Sequence, residues 1–316
     1  MATHPLAASR RPPIRLLVLD VDGTVSNSRH EITDATCAAV ARVRSAGVRV
    51  VLATGRRYRD TLPVAERLGI DAPLITASGA LVKDPTTHAT VLRAEFAPGV
   101  MIRVLEEIVA RGHEPILYTD SFAAGYDFYC RALRPPAAEA MVGASPDLTQ
   151  SAGWQALAEY LGRNAHLARV QGDLHAHLPE GVFAGFTMGT YAQMEALQEA
   201  LQQACPGELS LHVIRSPRYR DWMCEIAPAA TTKWSGVLAL AGVWGIEPAA
   251  ICAGGDDVND LPMIRGAGLG IAMGNAVPQV LAAADLIVAT HDEGGIEEVA
   301  AAVLAIPPQP APLGGG

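Results

Sequence analysis

Three short polar clusters carry most of the chemistry legible in this chain: Asp20-Val21-Asp22-Gly23-Thr24, Thr54-Gly55-Arg56 and Gly255-Asp256-Asp257-Val258-Asn259-Asp260. Each follows an apolar run that ends abruptly. If those runs are neighbouring strands, at least three carboxylates converge with a hydroxyl and an amide. Clustered carboxylates repel one another and are costly to hold without a cation. Oxygen ligands with little His or Cys nearby favour Mg2+. Such an ion beside the backbone N–H groups of tight glycine turns makes a phosphate site. Lys83 and Lys233 are the only lysines; the other 22 of the 24 basic residues are arginines. A compact ammonium is chemically distinct from a guanidinium, so Lys233 stands out from the charge pattern.

Taken singly, each feature has a plain structural reading. Asp-Gly pairs form turns. Thr54-Gly55 is a natural strand exit, Asp256 and Asp260 suit a helix N-terminus, and Lys233 suits a surface. Their occurrence together and in order is what argues for a site. His113, His166, His175 and His177 show no metal-ligand spacing and read as surface or packing residues. The Arg215, Arg218 and Arg220 cluster reads as a solvated turn, with reading an anionic substrate as the alternative.

The elements that must position these groups follow from the apolar pattern. Short, mostly apolar runs over 14–19, 48–53, 73–76, 250–253, 269–273 and 285–289 predict strands buried on both faces, as in a parallel sheet. Thr33 or Asp34 caps a helix that Gly47 stops, and a second helix runs to Leu68 before Gly69. A helix over 233–241 and another with Pro262 in its first turn follow later. Strand-helix alternation of this kind predicts an α/β core with a parallel sheet. In such sheets ligands bind at the carboxyl ends of the strands, where the three clusters fall. The middle of the chain mixes helical stretches (100–111, 154–161, 193–205) with alternating runs such as 209–214. It reads as an inserted α+β domain.

The motifs resemble those of the haloacid dehalogenase-like phosphohydrolases. Asp20 to Thr24 is similar to their D-x-D-G-T motif, and Ala53-Thr54-Gly55-Arg56 to the A-T-G-R form of the second motif. Lys233 falls where the third motif has its lysine. Gly255 to Met263 matches the fourth motif in its G-D-x-x-N-D-x-x-M form, and Ile271-Ala272-Met273-Gly274-Asn275-Ala276 is also typical. The resemblance covers about residues 14–300 and points to the Cof-type branch. It implies a Rossmann-like parallel-sheet core at 14–82 and 227–305 and a C2-type α+β cap domain at 83–226; the polar, Pro-containing start at 1–13 and the Pro/Gly-rich end at 306–316 read as disordered tails.

It also implies roles. Asp20 is the nucleophile that forms an aspartyl-phosphate, and Asp22 protonates the leaving alcohol and then activates water. Mg2+ sits on Asp20, the Asp22 carbonyl and Asp256, with Asp260 supporting it from behind. Val21, Thr54, the Gly55 amide, Lys233 and Asn259 hold the phosphoryl oxygens. Separately from the resemblance, Tyr118, Asp120 and Arg218 are candidate substrate contacts because they lie in polar turns flanking predicted strands of the cap, which is expected to close over the site. The chain departs from the pattern twice: Ser78 replaces an asparagine, and Trp234 replaces the glycine after Lys233. The first change is conservative; the second is large enough to narrow the site or alter selectivity.

The expected function is therefore a Mg2+-dependent phosphatase of small phosphorylated metabolites, with sugar phosphates the leading class. A phosphomutase of the same superfamily and an inactive phosphate-binding regulator are the alternatives. A net charge of −9 argues against general nucleic-acid binding. No apolar run reaches the ~20 residues of a membrane span. The five dispersed cysteines read as reduced thiols of a cytoplasmic protein. No obligate protein partner is evident.

Overall fold

The strand that ends at Asp20 is Leu-Leu-Val-Leu, β1 (Leu16–Leu19), and none of its side chains is more than 1% exposed. Burial on this scale contributes about 1.5–3 kcal/mol per side chain, so the start of the Asp20 loop is firmly anchored. The computed structural model describes residues 12–133, 152–216 and 219–306. Arg218, and most of the expected tails, lie outside them.

From β1 the chain runs through α1 (Asp34–Ser45), β2 (Arg49–Leu52), α2 (Tyr58–Leu68), β3 (Leu74–Thr76), β4 (Leu81–Lys83) and β5 (Thr90–Arg93). The Thr33 hydroxyl caps α1 by accepting from Thr36 N, and Gly69 closes α2 in the left-handed conformation. Next come α3 (Val100–Ala110), β6 (Ile116–Thr119), β7 (Phe128–Cys130), α4 (Ala152–Asn164), β8 (Ala168–Val170), β9 (Val182–Gly189), α5 (Tyr191–Ala204), β10 (Leu209–Arg215) and β11 (Trp222–Pro228). The chain ends through α6 (Lys233–Val243), β12 (Ile251–Gly255), α7 (Leu261–Gly266), β13 (Leu269–Ala272), α8 (Pro278–Ala283), β14 (Leu286–Ile287) and α9 (Gly295–Leu304).

These elements divide into two compact units: residues up to Val91 together with those from Lys233 onward, and Leu92–Thr232. The divisions fall later than the expected limits, 83 and 226. The reason is local: β4 turns back through a hairpin into β5, and β11 runs on to Pro228.

The first unit holds a five-stranded sheet of order β14-β13-β12-β1-β2, parallel throughout. Leu19 is in register with Leu52 on one side and Gly254 on the other. The loops after β1, β2 and β12 therefore leave the same edge of the sheet, side by side. The run at 73–76 does not extend this sheet as a regular strand. It meets β2's end through a single parallel bridge, Ala53 to Ile75, and pairs antiparallel with β4 in a three-stranded sheet β3-β4-β5.

The second unit is a six-stranded sheet of order β10-β11-β9-β6-β7-β8. One apolar cluster joins it to α3 and α5 through Val104, Leu105, Leu197 and Leu201. Another joins it to α4 through Leu157, Tyr160 and Leu161. The fold is thus α/β, a parallel-sheet unit with an α+β unit inserted in its sequence.

Candidate active site

Asp20 leaves β1 only 5% exposed, held by its amide to Gly254 O (3.0 Å). The turn that follows is closed by Ser26, whose amide and hydroxyl both donate to Val21 O at 2.9 Å. Val21 buries its side chain entirely. With its carbonyl taken, what it offers a ligand is its amide. Gly23 has φ +75°, and a Cβ there would stand 2.1 Å from Asp256 Oδ2. The Asp256 carboxylate thus lies where any side chain at position 23 would be. Thr24 Oγ1 donates to the other Asp256 oxygen at 3.1 Å.

Lys233, at the start of α6, is 1% exposed and donates to Asp20 Oδ1 at 2.7 Å and to Asp260 Oδ1 at 2.6 Å. The second oxygen of Asp260 accepts from the amides of Asp256 (2.9 Å) and Asp257 (3.0 Å). Asp260 is thereby fully engaged by the protein, and Asp20 and Asp256 are the carboxylates left with coordinating capacity. Oxygens of Asp20, Asp256 and Asp260 all lie within 4.8 Å of one another.

One ammonium does not balance three carboxylates. Burial, with the Asp260 charge adding to it, pushes Asp20 up to about 7 despite Lys233. Burial and then the charges of Asp20 and Asp260 push Asp256 up to about 9. Burial works to lower the Lys233 pKa, but Asp20 and Asp260 outweigh it and hold it above the ordinary value. The excess negative charge and the hard oxygen donors fit a divalent cation. A further sign of an unfilled role is Asn259 Oδ1, buried with no hydrogen-bond partner among the described residues. A buried orphan of this kind calls for a ligand, and the amide turned over presents donors instead.

The second motif is knitted to the first. Thr54, 1% exposed, accepts from Arg56 N through its hydroxyl at 3.1 Å. Ala77 and Ser78 take left-handed backbone (φ 47° and 54°) and donate their amides to Arg56 O (2.9 Å) and Thr54 O (3.0 Å). Arg56 reaches back to Asp22 with both Nε (2.7 Å) and Nη2 (2.6 Å). Burial acts to lower the Arg56 pKa, yet the Asp22 pairing raises it.

The structure therefore brings Asp20, Asp256, Asp260 and Lys233 into one cluster, with Thr24 and Gly23 against Asp256. Tyr118 and Asp120 belong to the second unit. Tyr118 stacks on Phe183 (ring centroids 6.3 Å apart) and tilts onto Phe186 (5.6 Å), which gives it a packing role there. The Trp234 indole rests on Gly266, so its bulk goes into helix packing.

Sequence reasoning assigned no role to three residues now seen at the site. Arg56 lies inside the second motif and Asp22 inside the first, but nothing in the sequence pairs the two. Thr24 closes the first motif with no role legible from its position. Asn275 donates to Gly23 O (2.9 Å) and Asp256 Oδ2 (3.5 Å) and accepts from His291 N (3.0 Å). Its only signal was membership of the Ile271–Ala276 stretch.

Comparison with known proteins agrees with this geometry. Residues 17–299 match the family model for haloacid dehalogenase-like hydrolases. Phosphatase YwpJ of Bacillus subtilis is 26% identical over 90% of this chain and 97% of its own. Pyridoxal phosphate phosphatase YbhA of Escherichia coli is 26% identical over 90% and 96%. The solved structure of the HAD subclass IIB sugar phosphatase BT4131 shares the fold, with a TM-score of 0.70 and 20% identity over 93% of this chain and all of that one. Its four motifs, its sheet topology and the match over 17–299 make this chain a member of the haloacid dehalogenase-like hydrolase family.

Proposed function

We propose that this chain is a Mg2+-dependent phosphatase that hydrolyses small phosphorylated metabolites, sugar phosphates first among them, through an aspartyl-phosphate on Asp20. That it is a phosphoric monoester hydrolase follows from its family and from relatives named as phosphatases. The observation that carries the finer reading is the Lys233 ammonium bridging Asp20 and Asp260 at 2.7 and 2.6 Å, with Asp256 alongside.

Asp20 attacks phosphorus with a carboxylate oxygen, and the ester oxygen leaves as the alcohol. Asp22 gives the leaving oxygen its proton and afterwards takes one from the hydrolytic water. Lys233 neutralises charge on the phosphoryl oxygens, with Thr54, Asn259 and the amides of Val21 and Gly55 completing the cradle. Asp20, the Asp22 carbonyl and Asp256 would hold Mg2+, and Asp260 would fix the Asp256 and Asp257 backbone behind it. When bound, the ion offsets the charge that Lys233 alone does not balance.

All these groups address the phosphoryl unit; none reads a leaving group. We assign substrate choice to the second unit, as a cap, with Tyr118, Asp120 and Arg218 as candidate contacts. Among the described residues no helix is long and apolar enough to cross a membrane, and all five cysteines are free. Free thiols support a reducing compartment, the cytoplasm.

Hydrolysis of p-nitrophenyl phosphate with and without Mg2+ tests the class. A panel of phosphorylated metabolites then ranks substrates. Absence of phosphate release from every ester, with Mg2+ present, would refute the reading.

A further inference from the structure

Trp234 follows Lys233 directly, in the first turn of α6. Two contacts through glycines register this helix. A Cβ built on Gly236 would stand 2.7 Å from Ile75 Cγ2, so α6 lies tight on β3. A Cβ built on Gly266 would stand 2.3 Å from Trp234 Cε2 and 2.5 Å from its Nε1, so the indole occupies the place of a missing side chain. Gly266 is the last residue of α7, and the first residue of α7 follows Asp260. Lys233 thus reaches Asp260 at one end of α7 while its neighbour Trp234 seats on the other end. Buried among these groups at 1% exposure, the ammonium has its position set by where the first turn of α6 lies. Close-packed interiors transmit sub-ångström changes of spacing.

We infer that Trp234 and Gly266 form a size-matched pair that fixes the spacing of α6 and α7. Trp234 is thereby a positioning residue for Lys233. The inference rests on the phosphoryl-binding role given to Lys233 above. Because Lys233 meets the phosphoryl group and not the leaving group, disturbing the pair changes the binding of all phosphoryl ligands alike. A tryptophan that lined the leaving-group pocket would instead reorder substrates.

The test compares the parent with Gly266→Ala, Trp234→Gly and the double variant. The readouts are inorganic phosphate binding by calorimetry, KM for p-nitrophenyl phosphate and one unrelated phosphate ester, and Tm. Coupled neighbours show non-additive effects, and we expect Gly266→Ala to weaken phosphate binding about tenfold, with both KM values rising in parallel. Adding Trp234→Gly makes room for the new methyl and returns phosphate binding to within about threefold of the parent. Phosphate binding unchanged in Gly266→Ala overturns the inference, as does a double variant no better than that single one. If Gly266→Ala does not fold, Trp234→Phe replaces it: weaker phosphate binding with parallel KM changes supports the pairing, and unchanged binding or reordered substrates overturns it. A parent that binds no phosphate and cleaves no ester sinks the phosphatase reading itself, and the inference with it.

Discussion

Arg56 holds Asp22 by both carboxylate oxygens, Nε to Oδ2 at 2.7 Å and Nη2 to Oδ1 at 2.6 Å. The two residues belong to loops that leave adjacent strands, and the fork fixes the orientation of the proposed acid/base. A guanidinium makes this planar two-point contact; an ammonium does not. Arg56→Lys keeps the charge and loses the fork. We expect kcat to fall by about tenfold to a hundredfold with KM changed little, a partial loss of the roughly 10²–10⁴-fold that a positioned general acid or base contributes. Steady-state kinetics on p-nitrophenyl phosphate decide it, and an unaltered kcat would show that Asp22 needs no such hold.

Asp20→Asn should abolish turnover and leave the fold standing. The amide fills the same space at the end of β1, and its oxygen still accepts from Lys233. It is, however, not a nucleophile toward phosphorus. Circular dichroism and thermal melts report the fold, and a phosphate-release assay reports the chemistry. Near-parent activity in this variant would remove the aspartyl-phosphate from the mechanism.

Much of the site is legible because its groups follow a local rule. A four-residue apolar run that stops at Asp20 announces both a buried strand and a carboxylate at its end; Ile251 to Asp256 does the same. What is not legible depends on partners far along the chain. Arg56 meets Asp22 across 34 positions, and Asn275 meets Gly23 across 252. No spacing rule connects such pairs. The Trp234–Gly266 contact is hidden for the same reason: Trp234 reads only as a departure from the family pattern, and nothing in the sequence marks Gly266.

The second unit illustrates the limit for strands. β9 is buried at all eight positions, because α3 and α5 cover one face of its sheet and α4 the other. A strand covered on both faces shows no alternation, so its period is silent. A break in its register opposite Tyr118 and Thr119 adds to the irregularity. By contrast β10, partly exposed along most of its length, is visible in the sequence as an alternating run.

If the second unit chooses the substrate, changes there should move specificity and spare the chemistry. Asp120 lies in the polar turn after β6, only partly buried. We expect Asp120→Ala to shift kcat/KM among phosphorylated metabolites by about tenfold, the scale of one lost polar contact. Its kcat on p-nitrophenyl phosphate should stay within about twofold. A uniform loss across every substrate would instead assign Asp120 to folding or to the phosphoryl step.

The strongest pH dependence should lie in stability without metal. Folding raises Asp256 from 3.8 to about 9, chiefly by burial, and Asp20 from 3.8 to about 7 for the same reason. In the unfolded chain both ionise near 3.8. Between these limits the folded state carries more protons than the unfolded one, so stability falls as pH rises. The contribution is complete below the unfolded value, declines most steeply while both groups still hold their protons in the folded state, declines less steeply once Asp20 has given up its proton, and is lost as pH passes the folded value of Asp256. A divalent cation on the same oxygens takes the place of the protons, and its binding strengthens as they leave. The rise in Tm on adding Mg2+ should therefore be small near pH 5.5 and grow toward pH 8.5. Thermal melts across that range, with and without Mg2+, measure it directly. Asp256→Asn should flatten the metal-free slope and remove most of the Mg2+ effect. A Mg2+ shift of the same size at both ends of the range, in the parent, would mean that the cation does not bind where these two carboxylates meet.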